Sequence, residues 1–485
     1  MKRDDKSSGI YNAVVIGGGT AGLVTAAGTA GLGGRVALIE RNKMGGDCLN
    51  FGCVPSKALI SSARLLHAMR HADEWGIAPP AVEPDFKRLF ERMRARRAKI
   101  APNDSQERFE KLGVEVIRGE AHFLSPHEVE VDGRKLRAKH FVIATGTRAA
   151  RPKIDGFESV RAFTNETIFD ELEAKPERLL VLGGGPIGCE LAQALARFGV
   201  RVTIVQKGPR LLPKEDQEVS AFMQKRLEGE GITVLTEAEL KAVKPSGSGL
   251  SASIARAGAT HDEEFSALLL AAGRTPNIES LNLEAAGVKT GKKGVEVNDY
   301  LQTSQPHIYA AGDITGRYLF THMADFQARI VVRNILMPLQ ALRQRANYSV
   351  VPWCTYLDPE IARVGLGEDE AKQRGIKFDR FEKKMEEVDR AVVESAEAGF
   401  AKVLVKRGTD RILGVTIVAE HAGELLQPFV LAMSRGLGLK KLAGAIHLYP
   451  TFAGIGRKLG DEQARTALTP FVKKFFAALY ARQRK

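Results

Sequence analysis

Two stretches of the chain repeat one pattern of apolar and polar positions. Asn12 to Glu40 and Arg178 to Gln206 align without a gap at an offset of 166 residues. Each opens on a short apolar run, AVVI or LLVL, that reads as a strand, and passes through GGGTAG or GGGPIG into a stretch rich in small residues that reads as a helix. Each closes on a second apolar strand, RVALIE or RVTIVQ. Helical spacing of apolar residues recurs in VPSKALISSARLLHAM, which begins at Val54. It returns in the last segment, where Phe471, Val472, Phe475, Phe476 and Leu479 share one helical face, with Lys473, Lys474, Arg482, Arg484 and Lys485 around and beyond it.

In both copies the first strand feeds a GxGxxG turn: Gly17, Gly19 and Gly22 in one, Gly183, Gly185 and Gly188 in the other. The first glycine permits the tight turn, the second lets backbone approach a pyrophosphate, and the third lets the helix pack on the sheet, its N-terminus toward the phosphates. One such turn alone is a weak signal. Two in matching strand-turn-helix frames predict two Rossmann-like dinucleotide-binding domains in an α/β protein. In the first copy the second strand ends at Glu40, a carboxylate suited to the unmodified ribose of FAD or NAD. In the second copy Gln206 holds that place, followed by Lys207 and Arg210. No carboxylate there repels a 2′-phosphate and two cations could bind one, which favours NADPH over NADH. The alternative is that Lys207 and Arg210 are solvated loop charges.

Composition narrows the class. The chain has 485 residues, 44% of them hydrophobic. At roughly 150 residues per domain that length suggests about three domains, each able to bury its own core, and it excludes disorder and miniature scaffolds. The first residues, MKRDDKSSGIYNAVVIGGG, hold no apolar signal-peptide core, and no window approaches the roughly 18 to 20 apolar residues of a membrane span, so a soluble, cytoplasmic protein is expected. The net charge of +13 is compatible with nucleic acid, an anionic membrane or anionic cofactors, but by itself reads as a solvated basic surface, and no nucleic-acid partner is expected. Four cysteines cannot form a secreted disulfide framework. Two of them, Cys48 and Cys53, fall together in MGGDCLNFGCVPSKALI, where the glycines, Gly46 among them, and Pro55 let backbone come close to a bound ring. Zinc would need two further ligands, and neither a second CxxC nor a paired His accompanies the pair, so no metal site is expected. A redox-active disulfide fits better. Cys53 leads into the predicted helix, whose positive end favours its thiolate. Cys189 and Cys354 read as core residues.

With these motifs the sequence resembles the pyridine nucleotide-disulfide oxidoreductases, the flavoprotein family of lipoamide dehydrogenase, glutathione reductase and mercuric reductase. GGDCLNFGCVPSK is similar to that family's redox motif. The resemblance implies that Cys53 faces the flavin as charge-transfer thiol and that Cys48 is the interchange thiol that meets substrate. It implies that Lys57 lies beside the flavin N5 with Glu190 as its ion-pair partner, a pairing that also makes physical sense, since a lysine near a reduced anionic flavin needs a carboxylate when the flavin is oxidised. VIATGTR, with Thr145 and Gly146, resembles the stretch where the chain leaves the flavin domain; AAGRTPN, with Gly273, resembles the return crossing. IYAAGDIT resembles the segment whose aspartate, here Asp313, binds the ribityl chain. The implied architecture is a homodimer with an FAD domain at 1–150 and 278–347, an NAD(P)H domain inserted at 151–277, and a C-terminal α+β dimerisation domain at 348–485.

The sequence departs from this family near the C-terminus. Disulfide-reducing members carry a His-Pro-Thr segment, with Glu five residues after the His, that crosses the dimer to protonate the leaving thiolate. Here AIHLYPTFAGIGRK puts Tyr449 in place of the His and Gly454 in place of the Glu. A leaving thiolate needs a proton from a group with pKa near 7, and tyrosine, near 10, is poorly matched. His447 would face the same way on strand geometry, a weak substitute. The sequence therefore looks most like the mercuric-reductase-like branch, whose metal-ion acceptor binds two thiolates without a proton donor. Two features of that branch are missing, an N-terminal CxxC domain and a C-terminal cysteine pair. The alternatives are a disulfide reductase of the lipoamide or glutathione type and a membrane-associated quinone reductase. For the basic C-terminal helix, docking on its own dimer and a weak peripheral membrane contact are both open.

Overall fold

The computed structural model describes residues 9–247 and 249–484. The chain gathers into two compact units: one comprises the chain up to His67, Ala81–Pro209 and Glu230–Asn347, the other Ala68–Pro80, Arg210–Gly229 and the chain from Tyr348 onward.

The first unit contains both nucleotide folds. The apolar runs become fully buried parallel strands. Ile10–Ile16 pairs in parallel with Val36–Glu40 on one side and Arg134–Ile143 on the other. Val114–Arg118 extends the sheet beyond Val36–Glu40, and Ile308–Ala310 joins the end of Arg134–Ile143. That last strand is long enough to serve twice, because its first half also pairs antiparallel with Glu128–Val131. The second sheet runs Thr233–Thr236, Arg201–Gln206, Arg178–Leu182, Ala267–Leu270 and Ala162–Phe163, all parallel. A three-stranded antiparallel sheet follows it, Ala238–Ser246, Gly249–Arg256 and Ala259–Phe265.

The small residues of the helix Thr20–Gly31 serve close packing against the helix Thr321–Leu336: a Cβ added at Gly28 would lie 2.9 Å from Val332 Cγ2. The helix expected from Val54 onward is present as one helix, and a separate short one precedes it. Cys48 lies in Gly46–Asn50, and Cys53 opens the 18-residue helix Cys53–Arg70. Pro55 is tolerated there because first-turn amides have no intrahelical acceptor.

The second unit is built on a five-stranded antiparallel sheet in the order Pro352–Thr355, Glu360–Gly365, Ile412–Ala419, Phe400–Lys406, Phe378–Lys384. Its core is aliphatic, with Val403, Val415 and Ile417 at the centre and Phe429, Ile455 and Leu459 from helices packed against it. Among the described residues no helix is long and apolar enough to cross a membrane.

Candidate active site

The two glycine turns make the same contacts. Gly17 and Gly183 stand at φ +111° and +113°, and a Cβ at either would strike a carbonyl, Ala144 O at 2.4 Å or Ala271 O at 2.5 Å. Gly22 and Gly188 would place a Cβ 1.8 and 2.0 Å from the carbonyl oxygens of Gly17 and Gly183. At Gly185 a Cβ would meet nothing within 4 Å, so the backbone is open to a ligand. Across each turn a side-chain oxygen accepts from the backbone: the Gly18 amide donates to Glu40 at 2.5 Å and the Gly184 amide to Gln206 at 2.9 Å. Glu40 also accepts from the Asn42 amide at 2.6 Å. A carboxylate has about four lone-pair sites, so capacity is left for ribose hydroxyls. Both turns therefore fit a dinucleotide.

The redox segment rests on the first turn. Gly46 is at φ +57°, and a Cβ on it would lie 2.5 Å from Gly19 Cα. Asn50 ties the short helix back by donating to the Met44 and Gly46 carbonyls, both at 2.9 Å. Across the turn from it, Cys53 Sγ lies 3.4 Å from the Thr321 hydroxyl. The Cys53 thiol is lowered to about 6, first by the hydrogen bond from Cys48, then by Thr321 and the Lys57 ammonium, against the opposing effect of burial. Cys48 is pushed up, because it keeps the shared proton and is itself buried beside Cys53. The pair thus favours one thiolate, at Cys53.

Below about 6, protonation removes this thiolate. Alkylation of the reduced protein at Cys53 is therefore expected to rise with pH to an inflection near 6. In Cys48→Ala, which removes the leading stabilising hydrogen bond, the inflection moves to higher pH. Mapping iodoacetamide adducts against pH checks both.

Lys57 Nζ donates to Glu190 Oε2 at 2.7 Å, bringing the redox helix and the second glycine helix Pro186–Arg197 together. The two chain crossings lie side by side, Thr147–Ala149 antiparallel to Arg274–Pro276. Thr145 donates to the Asn277 carbonyl at 2.8 Å, the Gly146 carbonyl accepts from the Asn277 amide at 3.0 Å, and the Gly273 carbonyl accepts from the Ala150 amide at 3.0 Å. Thr147 accepts from Arg274 Nε at 2.7 Å and donates to Asp313 at 3.3 Å. Burial pushes the Asp313 carboxyl up to about 6, which suits a group that meets a hydroxyl-bearing ligand.

Spacing gave no sign of several of these partners. Thr321 lies 268 residues from Cys53. Asp47, beside Cys48, accepts from Asn165 at 3.0 Å and pairs with Arg274 at 3.2 Å. It was visible in the motif, but its neighbours were not.

At the second nucleotide fold a cavity of about 420 Å³ is lined by Lys207, Lys241 and Arg256 together with Glu237 and Glu239. Lys207 pairs with Glu239 at 2.9 Å. Arg210 belongs to the other compact unit, 3.5 Å from Asp369, and is not among the residues lining this cavity. Cys189 is fully buried, its thiol pushed up to about 12 by burial. Cys354 sits half-buried in the strand Pro352–Thr355.

In the second unit Tyr449 is 79% exposed, and its hydroxyl donates to Asp389 at 2.9 Å. That hydrogen bond raises the phenol further above 10, away from the range of a general acid. The segment around it is a loop rather than a strand, so alternation does not relate His447 to Tyr449. His447 Nε2 instead lies 3.1 Å from the Leu442 carbonyl, and Gly454 opens the helix Gly454–Arg465.

Two dinucleotide folds joined by paired crossings, with a dithiol seated on the first glycine turn, define a flavin- and nicotinamide-dependent dithiol oxidoreductase. The chain belongs to the pyridine nucleotide-disulphide oxidoreductase family, whose model matches residues 11–328, while the family's dimerisation domain matches 351–458. It is 35% identical over 444 residues to a mercuric reductase of Lysinibacillus sphaericus, covering 91% of this chain and 81% of that one. It is also 35% identical over 455 residues to a dihydrolipoyl dehydrogenase of Thermus scotoductus, covering 91% and 95%. Among solved structures it is similar to the HOCl-induced flavoprotein disulfide reductase RclA from Escherichia coli in its Cu(II) complex, with a TM-score of 0.84 and 27% identity, covering 93% of this chain and 99% of that one. The chain is thus a flavin-dependent oxidoreductase using FAD and NAD(P)H, similar to mercuric reductases, and its dimerisation domain supports a homodimer.

Proposed function

We propose that the Cys48–Cys53 pair reduces a soft metal ion, Hg(II) or a related thiophilic ion, with electrons from NADPH. The observation that carries this reading is Tyr449, exposed and bonded to Asp389 where disulfide-reducing members need a proton donor. FAD, when bound, supplies the two-electron carrier between the nicotinamide and the disulfide. The chain's own residues do the rest. Gly17, Gly19, Gly22 and Glu40 hold its adenosine diphosphate half, Asp313 meets the ribityl chain, and Gly46, Thr145, Gly146 and Gly273 bring backbone close to it. Lys57 and Glu190 set the charge beside the ring. Two electrons and one proton open the disulfide to a Cys48 thiol and a Cys53 thiolate. A soft divalent cation then binds both sulfurs, displacing the remaining proton, and leaves after taking the pair's two electrons as the Cys48–Cys53 disulfide bond re-forms. The names of the relatives support a metal acceptor, one being a mercuric reductase and one a disulfide reductase with a Cu(II) complex.

Likeness to dihydrolipoyl dehydrogenase favours a second reading, disulfide reduction with His447 as acid. The two separate when NADPH-reduced, FAD-loaded protein is mixed anaerobically with Hg(II), Cu(II), lipoamide, glutathione disulfide or a quinone. Rapid oxidation by the metal ions alone is expected. Turnover of lipoamide or glutathione disulfide at matching rates would overturn the metal reading.

The same proposal places the FAD domain up to about residue 150 and at 278–347, the NAD(P)H domain at 151–277, and the interface domain from 348 onward, in a cytoplasmic protein. Gly183, Gly185, Gly188 and Gln206 would hold NADPH, its 2′-phosphate meeting Lys207, with Lys241 and Arg256 beside it and Arg210 nearby in sequence. Lys207→Ala is expected to raise KM for NADPH by about tenfold, the scale of one charge-assisted hydrogen bond, and to leave KM for NADH unchanged. Equal effects on both cofactors would overturn this role at the 2′-phosphate.

A further inference from the structure

The helix Pro470–Gln483 presents an apolar face that the other described residues leave exposed. Apart from half-buried Val472, its described side chains are exposed. They include Phe471 at 78%, Phe475 at 55%, Phe476 at 46%, Leu479 at 43% and Tyr480 at 62%. Such large apolar groups rarely sit together in water without a partner. The helix is nevertheless well specified locally. Thr469 caps it by accepting from the Val472 amide at 3.3 Å, and Pro470 takes the first turn. Phe471, Phe475 and Leu479 form one row at fourfold spacing, and Val472, Phe476 and Tyr480 form the adjoining row. Lys473 and Lys474 lie off this face near the helix start, and Arg482 and Arg484 lie at its end.

Charge identifies the occupant. From Gln463 to Lys485 the sequence holds six Lys and Arg and no Asp or Glu. A second copy of the helix would set cations against cations in either orientation, since both ends are basic. An anionic surface instead matches the charge, and a lipid one also takes the aromatic rows. At about 1.5 Å per residue the helix is about 21 Å long, short of the roughly 30 Å hydrocarbon core, so it can lie on a bilayer but not span it.

We propose that Pro470–Gln483 lies flat on an anionic lipid bilayer, with Phe471, Phe475, Phe476, Leu479 and Tyr480 entering the acyl boundary and Lys473, Lys474, Arg482 and Arg484 meeting lipid phosphates. This surface is independent of which acceptor the dithiol reduces. The test is cosedimentation of the FAD-loaded protein with vesicles of phosphatidylcholine alone or mixed with phosphatidylglycerol, with solution mass measured in parallel. Binding to the mixed vesicles is expected to be at least about tenfold tighter and to weaken as salt rises. Phe475→Ser/Phe476→Ser and Lys473→Glu/Lys474→Glu are each expected to lose about tenfold or more in vesicle binding, with solution mass and NADPH oxidation unchanged. Wild-type protein that ignores the mixed vesicles, or variants that bind them as well as wild type, would overturn the proposal. Loss of dimer mass in the phenylalanine variant would assign the face to a second copy instead.

Discussion

Cys53→Ser and Cys48→Ser each lose NADPH-driven acceptor reduction by at least about 10³-fold, as expected when one member of a unit that acts together is removed. The pair works as one device, in which Cys48 keeps the proton that lets Cys53 remain a thiolate. Neither remaining cysteine is placed as a substitute: Cys189 is sealed in the core with its thiol pushed up to about 12. Cys354 is half-buried in the strand Pro352–Thr355, its thiol donating to the Thr355 carbonyl at 3.7 Å. Cys354→Ser therefore stays within a few-fold of wild type. Thiol titration after anaerobic reduction by NADPH gives the second readout, two new thiols per chain in wild type and none in either active-site variant. A Cys53→Ser protein that matched wild type in turnover would end the dithiol assignment.

The largest stability effect is expected at Lys402→Met. Lys402 sits in the strand Phe400–Lys406 with its side chain only 2% exposed, its ammonium 2.6 Å from Asp216 and also bonded to Glu218. Methionine keeps the stem and removes the charge, leaving Asp216 buried without its cation, which costs about 3 to 5 kcal/mol for a pair of this kind. Burial by itself would push the Asp216 carboxyl up. The Lys402 hydrogen bond and charge, with the Glu368 amide, hold it below the ordinary range. A carboxyl depressed in this way contributes stability that is present above its unfolded pKa, about 3.9, and lost as pH falls through the folded value. The gap in unfolding midpoint between wild type and variant, followed by calorimetry, is therefore wide at neutral pH and narrows in acid below about 4. A gap that stayed constant in acid would show that lost packing, not the ion pair, sets the cost.

Lys402 also shows where legibility stops. FAKVLVK forms the strand Phe400–Lys406, but nothing in its alternation says that the lysine is buried. That follows from Asp216, which arrives from a distant segment. The same holds at the dithiol. Cys48 and Cys53 announce themselves by closeness in sequence, whereas Thr321, whose hydroxyl reaches Cys53, and Arg274, which pairs with Asp47, come from far along the chain. Lys57 and Glu190 were expected to meet, but on family resemblance and the charge needs of a flavin rather than on spacing. The strand expected around His447 is a loop, because Tyr449 is drawn to Asp389 and His447 to the Leu442 carbonyl.

By itself the sequence determined the elements whose geometry is local: the two glycine turns with their flanking strands, the side-chain oxygen at the end of each second strand, and the cysteine pair leading into a helix. These rest on backbone angles and periodicities set within about thirty residues, the span of one βαβ unit, and the duplication let each copy check the other. Tertiary structure alone decided which side chains complete them. It decided which distant groups support the Cys53 thiolate, which cations line the cavity beside Lys207, and which apolar face stays exposed among the described residues. Those outcomes depend on burial and on partners that lie from dozens to hundreds of residues apart, and no period in the sequence records them.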